Sequence, residues 1–215
     1  MRIALIGTGN VGGALAKAWA RAGHDIVLGV RNTDQAEVKA LAAETRAAVM
    51  VPTDAVQAAE VVVLAVPWNA AETVARTLGD LHDRIVIDCT NPLGPTESGF
   101  GLTVGHSQSG AELIAGWMTG GRLVKTLNQV GAEIMEAAAR MSRHPVMFLA
   151  GDDDAAKTTV GTLLSDIGFD PLDAGDLAKA RLLEPLAMVW INQAITRGKG
   201  RDWALSVTPA PVEAT

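Results

Sequence analysis

The N-terminal stretch Met1 to Gly13 constrains the fold more tightly than any other part of the chain. A short aliphatic run, Ile3-Ala4-Leu5-Ile6, enters the turn Gly7-Thr8-Gly9-Asn10-Val11-Gly12. The aliphatic residues before the turn predict a strand, and Ala14, Leu15, Ala18 and Trp19 after it recur at helical spacing. In a Gly-x-Gly-x-x-Gly spacing the first glycine serves a tight turn, the second lets a pyrophosphate approach the backbone, and the third brings the helix close to the strand. A helix from Val11 to about Ala22 would aim its free N-terminal amides, and the positive end of its dipole, at the phosphates. A turn that binds no ligand is the other reading of the same glycines.

The remainder of the chain alternates strands and helices. Strands are expected at Ile26 to Val30, around Ala48 to Val51, at Val61 to Val66, Arg84 to Asp88 and Arg122 to Leu127, with helices between them at about Asp34 to Arg46, to Ala59, Ala70 to Leu81 and, after the capping box Ser109-Gly110-Ala111-Glu112, to about Met118. The continuous apolar run at 61–66 fits a central parallel strand covered on both faces. Right-handed crossovers then give an α/β fold, a doubly wound, mostly parallel sheet of Rossmann type with a small C-terminal helical extension. Residues 1–144 form the dinucleotide-binding unit. Residues 145–215 add a βαβα extension on the same sheet: a strand from Pro145 to Gly151, a helix through Ile167, a short strand from Gly168 to Leu172, and a helix from about Leu177 to Ile195. That last helix is more apolar than one buried stripe requires, so part of it is expected to cover the crevice or a partner subunit. The tail from Pro209 reads as loose. Gly94 to Ser107 reads as a long loop without periodicity, of the kind that forms lids and binding loops.

Bulk properties narrow the function classes. A formal charge of -6 with no Lys/Arg run argues against nucleic acid or an anionic membrane as partner. The single cysteine, Cys89, forms no intramolecular disulfide, and no Cys/His cluster has zinc-ligand spacing. Asp152-Asp153-Asp154 reads as the capped start of a helix rather than a cation cage, so no metal site is expected. The absence of a basic, apolar leader and of a run of roughly 20 apolar residues points to a cytoplasmic protein.

Ligands of open α/β sheets lie beyond the carboxyl ends of the strands. The second strand ends at Val30-Arg31-Asn32, where an NAD site would carry an acid; Arg31 instead suits the 2'-phosphate of NADP(H), unless Asp34 neutralises it as a solvated surface residue. Val66, Pro67 and Trp68 end the central strand where a nicotinamide would lie, with Trp68 either facing the crevice or packed under a loop. Thr90 and Asn91 face the same crevice. His106, in the long loop, is within reach of it, whereas His24 and His82 sit in turns opposite the strand ends and are expected to be solvated. Lys125 is expected either to reach out at an edge or to pair with an acid. No nucleophile elbow, Ser/His/Asp order or carboxylate pair can be assembled, so no catalytic residue is assigned. Hydride transfer between two carbons is compatible with this, because the protein supplies orientation, stacking and exclusion of water. A non-catalytic NADP(H)-binding sensor is compatible as well.

The runs Ile6 to Gly12, Gly29-Val30-Arg31, Val66-Pro67-Trp68, Ser109 to Glu112, Gly151 to Asp154, Asp173-Ala174-Gly175 and Ala180 to Glu184 together resemble, in order, the coenzyme F-420-dependent NADP oxidoreductase family. The resemblance implies a usually dimeric protein that passes hydride between NADP(H) and a deazaflavin. It implies that Thr8, Gly9, Asn10 and Val11 hold the pyrophosphate, Val30 and Arg31 the 2'-phosphate end, and Val66, Pro67, Asn91 and Ala132 the nicotinamide side. Gly7, Gly12 and Asn32 complete the expected cofactor set. Trp68, Leu127, Asn128 and His106 are the expected acceptor contacts. The segment Lys125-Thr126-Leu127-Asn128-Gln129 is closer to the NADPH-binding domains of ferric reductases that use flavin, so a flavin, or a small carbonyl or imine compound, remains open as the acceptor.

Overall fold

The structure, a computed structural model, describes residues 1–97, 99–208 and 210. The expected looseness from Pro209 onwards therefore concerns residues that, Ala210 apart, lie outside the described ones.

The elements run β1 (Arg2–Ile6), α1 (Asn10–Arg21), β2 (Asp25–Gly29), α2 (Ala36–Thr45), β3 (Ala48–Met50), α3 (Pro52–Ala58), β4 (Val61–Leu64), α4 (Trp68–Thr77) and β5 (Ile85–Asp88). They continue with β6 (Leu93–Thr96), β7 (Gly99–Leu102), α5 (Gly110–Trp117), β8 (Arg122–Lys125), α6 (Ala132–Ala137), β9 (Val146–Gly151), α7 (Asp154–Asp166), β10 (Asp170–Asp173) and α8 (Ala180–Ile191). Eight strands make one sheet in the order β10-β9-β8-β5-β4-β1-β2-β3. All neighbours are parallel except β8 and β9, which are antiparallel, so β9 and β10 extend the sheet in the reverse direction. The expected α/β, doubly wound, mostly parallel sheet is what forms.

Strand periodicity divides the core. Ile3, Leu5, Val61 and Val63 belong to one apolar layer with Leu15, Trp19, Met135 and Leu163. Ala4, Ile6, Val62 and Leu64 belong to the opposite layer with Val56, Ala75, Leu78 and Ile114. Successive side chains of a strand point to opposite faces, which is why a strand buried on both sides reads as continuous aliphatic sequence.

The largest departures from the expected boundaries are at three places. The segment read as a loop between Gly94 and Ser107 contains the antiparallel hairpin β6–β7, paired from Leu93 with Leu102 to Thr96 with Gly99. Its glycines and Pro95 hid it, because a hairpin held by backbone bonds leaves little side-chain periodicity. The fourth helix begins at Trp68 rather than Ala70, since Pro67 at φ -59 is already set for a helix start, and it ends at Thr77 ahead of Gly79 at φ +80. The last helix is not continuous. A 3-10 turn (Leu177–Lys179) leads into α8, which contains Pro185, and a π turn (Asn192–Thr196) follows it. None of the helices among the described residues is long and apolar enough to cross a membrane.

Candidate functional site

The sheet reverses its winding between β1 and β4, and the loops leaving these two strands crowd together there. Gly7 has φ +100, and a Cβ on it would come 2.5 Å from the Ala65 carbonyl oxygen. A Cβ at Gly12 would overlap the Gly7 carbonyl, so these two glycines are demanded by the turn itself. At Gly9 the reason is different: a Cβ there would meet nothing within 4 Å. The open space over Gly9 leaves room for a group from outside the protein. Gly9 is also the N-cap of α1, with no side chain capping the helix and no acid in its first turn. The first amides of α1 thus have no intrahelical partner and no competing carboxylate. This cradle fits a pyrophosphate.

At the end of β2, Val30 is buried while Arg31 and Asn32 are exposed. Asn32 accepts from the Asp34 amide through its side-chain oxygen at 3.0 Å. Asp34 pairs with Lys39 at 2.8 Å, which holds its carboxyl below the usual range. Arg31 has no ion-pair partner among the described residues, so Asp34 does not neutralise it.

Two clefts open beside the glycine turn. One, of about 440 Å³, is lined by Thr8, Gly9, Asn10, Gly13, Lys17, Ala132 and Glu133 among others. The other, of about 270 Å³, shares Asn10 and Ala132 and reaches Val11, Asn91 and Asn128. Of the residues expected from sequence, the structure therefore gathers Thr8, Gly9, Asn10, Val11, Asn91, Asn128 and Ala132 around two adjoining clefts. The smaller cavity is closed by residues that sequence reasoning did not assign to a site: Leu93 and Phe100 of the hairpin, and Trp190, Ile191, Ile195 and Arg201 of the C-terminal segment. The excess of apolar residues in the last helix was the available signal for part of this wall.

Asn91 and Asn128 are locked together. The Asn91 side chain donates to the Asn128 carbonyl at 2.8 Å, and Asn128 Nδ2 donates to Asn91 Oδ1 at 3.0 Å and to the Leu183 carbonyl at 3.1 Å. Gln129 donates to Asn128 Oδ1 and to the Phe148 carbonyl and accepts from the Phe148 amide, tying the pair to β9. Arg201 is the only ionisable side chain among the described residues lining this cavity.

Beneath it lies a buried ionic cluster. Lys125 is fully buried, and its ammonium donates to Asp88 Oδ2 at 2.9 Å and to the Thr90 carbonyl, and lies 3.1 Å from Glu184 Oε1. Burial alone would lower the Lys125 pKa, but the two carboxylates hold it above its usual value. Of the two alternatives for Lys125, pairing with acids is realised. Glu184 also accepts from the Gly110 and Ala111 amides, so this carboxylate joins α8, the start of α5 and the sheet. Cys89, buried beside the cluster, has its thiol pKa pushed up by desolvation and by Asp88, so it stays protonated.

Other expected residues fall elsewhere. Trp68 packs between α4 and α5, 5.6 Å from the Trp117 ring, and a Cβ on Gly110 would lie 3.1 Å from it; it does not line the 270 Å³ cavity. Leu127 is fully buried in the core, at φ +57, and shapes the turn into Asn128 rather than facing an acceptor. His106 is exposed, at φ +62, and is not part of either cleft lining. Val66 lies against the glycine turn, its Cγ1 3.0 Å from where a Gly7 Cβ would be, and neither Val66 nor Pro67 is part of either cleft lining. His82 is exposed as expected, but His24 is not solvated: its ring lies 3.3 Å from the N-terminal nitrogen and 3.0 Å from Asp166. Each aspartate of the acidic triplet has a structural partner, since Asp153 caps α7, Asp152 accepts from the Leu177 amide and Asp154 pairs with Lys157. No group of three or more His, Cys, Asp and Glu among the described residues is placed to hold a metal ion.

Known proteins resemble this arrangement. A family described as NADP oxidoreductase, coenzyme F420-dependent, matches residues 2–92. Metalloreductase STEAP3 of Rattus norvegicus is 29% identical over 187 residues, covering 87% of this chain but 36% of that protein, so the chain spans about a third of that relative's length. The F420-dependent NADP reductase of Methanothermobacter thermautotrophicus is 27% identical over 224 aligned positions, covering 98% of this chain and 96% of that one. The crystal structure of a candidate F420-dependent NADP-reductase from Arthrobacter sp. FB24 superposes with a TM-score of 0.86 at 28% identity, over 96% of this chain and 99% of that chain. The resemblance drawn from the motifs is borne out by these matches.

Proposed function

We propose, from the match of residues 2–92 to the coenzyme F420-dependent NADP oxidoreductases, that the chain is an oxidoreductase passing hydride between NADP(H) and a flavin-type ring, a deazaflavin of the coenzyme F420 kind. The observation that carries this reading is the character of the 270 Å³ cavity. It is continuous with the glycine turn through Asn10 and Val11, it is walled by side-chain amides and apolar groups, and its one ionisable lining residue among those described is an arginine, which cannot act as a proton donor at neutral pH. Reduction of a carbonyl or an imine leaves a strongly basic atom that calls for a nearby acid, whereas a conjugated tricycle spreads the charge and can take its proton from water. NADPH, when bound, supplies the hydride.

The chain's own residues position and shield. The cradle at Gly9 and the free amides of α1 hold the pyrophosphate, Arg31 pairs with the 2'-phosphate, and the interlocked Asn91 and Asn128 form a fixed wall on the nicotinamide side. The apolar wall of Leu93, Phe100, Trp190 and Ile191 excludes water. Flavin is the second acceptor this reading admits, favoured by the Lys125 to Gln129 segment and by the similarity to a metalloreductase. The exposed stripe of Leu182, Val189 and Ile195 along the C-terminal helix supports a homodimer. The test is to follow NADPH oxidation with a deazaflavin, FMN, FAD and a panel of carbonyl and imine compounds. Turnover with a flavin-type ring is expected, and turnover confined to carbonyls or imines would refute the assignment. Binding of NADPH without turnover on any acceptor would leave the sensor reading in its place.

A further inference from the structure

Arg201 sits on the wall of the 270 Å³ cavity together with Asn10, Asn91, Asn128 and Phe100. Its guanidinium lies over the Trp190 ring at 5.6 Å. That ring is fixed by other contacts: Trp190 Nε1 donates to the Trp203 carbonyl at 3.0 Å, and the two indoles stack at 5.8 Å. The platform under the arginine therefore does not depend on what the guanidinium pairs with. Its one ion pair is with Glu133, through Nε at 2.8 Å, and the two side chains are 42% and 48% exposed. Pairs this accessible to water contribute little and exchange readily. The Nη groups have no hydrogen-bond partner among the described residues, so the planar fork that binds phosphate or carboxylate with two parallel bonds is largely unspent. The same segment carries Arg197 and Lys199, neither with a carboxylate partner among the described residues, in a chain of net charge -6.

We propose that Arg201 is the anion-recognising residue of the acceptor site, exchanging Glu133 for a phosphate or carboxylate on the side chain of the flavin-type acceptor. This rests on the oxidoreductase reading above and adds the chemical class of the acceptor: a ring with an anionic substituent is preferred to the same ring without one. Glu133 is the built-in competitor. Its hydrogen bond from Arg201 holds its carboxyl below the usual range, so it remains ionised and occupies the guanidinium until a ligand anion displaces it.

The exchange makes a signed prediction that a purely structural ion pair does not. FMN and riboflavin share one ring and differ by a phosphate, so their binding to the full-length protein, read by flavin fluorescence, isolates the anion. Wild type is expected to bind FMN more tightly than riboflavin, and Arg201→Ala to weaken FMN about tenfold, the scale of one charge-assisted hydrogen bond. Glu133→Gln, by removing the competitor, is expected to tighten FMN. Riboflavin should respond to neither substitution, and the NADPH affinity of Arg201→Ala, titrated in parallel, should stay within about twofold. If Arg201 only braces the segment, both substitutions weaken FMN together; that result, or a wild type that does not distinguish FMN from riboflavin, overturns the proposal. A shift confined to NADPH reassigns the arginine to the cofactor and overturns it too. A wild type that fails to bind NADPH would instead strike at the oxidoreductase reading itself.

Discussion

Arg31 and Gly9 carry the proposed cofactor site, and both are informative for what they lack. Arg31 stands at the end of β2 without a carboxylate partner, because Lys39 has taken Asp34. Replacing Arg31 with Ala should weaken NADPH by roughly 1–3 kcal/mol, the scale of hydrogen bonds to a charged group, and leave NADH almost unchanged. Titration of both nucleotides against wild type and variant checks this, and equal losses would give the arginine another role. A second residue-scale expectation concerns Glu112, whose carboxyl is held at about 2, first by the Arg181 guanidinium and further by Ser109. Such a carboxyl stabilises the fold above its unfolded pKa of about 4.3, and that contribution is lost as the pH falls through the folded value. Melting temperature should therefore decline between about pH 4.3 and 2, and Glu112→Gln, which keeps the capping geometry, should flatten that decline. The glycines and Arg31 were legible because each is a local requirement of backbone or charge. Arg201 was not, because what distinguishes it is the cavity it lines, whose other walls come from distant parts of the chain.

At the scale of elements, a buried carboxylate ties α8 to the sheet. Glu184 meets the Lys125 ammonium and the first two amides of α5, so helix, helix and strand converge on a single side chain. Removing the cation would leave Asp88 and Glu184 buried without it. Lys125→Met should cost about 3–5 kcal/mol in urea unfolding, the penalty of breaking rather than replacing a buried pair. A loss below about 1 kcal/mol would mean the carboxylates find water or a proton instead. The sequence left Lys125 either reaching out at an edge or pairing with an acid, and its two partners, from β5 and α8, are unrelated to it in spacing. Similarly, α8 runs unbroken through Pro185, whereas the π turn that follows it, closed by the Arg197 amide on the Asn192 carbonyl, left no mark in the residue pattern.

For the molecule as a whole, β9 and β10 continue the same sheet and share its core, and Trp19 of α1 donates to the Leu163 carbonyl of α7 at 2.9 Å. Residues 145–215 should then unfold with the rest. Tryptophan fluorescence, with indoles at Trp19, Trp68 and Trp117 in the N-terminal part and Trp190 and Trp203 in the C-terminal part, should give one transition coincident with circular dichroism. Two separated transitions would make the extension an independent unit. The strand and helix order, the doubly wound sheet and the glycine turn followed from sequence, since each depends on periodicity or backbone sterics over a few neighbouring residues. The reversed pair β9 and β10, the hairpin, the partners of Lys125 and the aromatic wall that closes the cavity were decided only by tertiary packing. Apart from the hairpin, whose backbone pairs residues only a few positions apart, they depend on which surfaces meet between segments separated in the chain, and no local pattern encodes that.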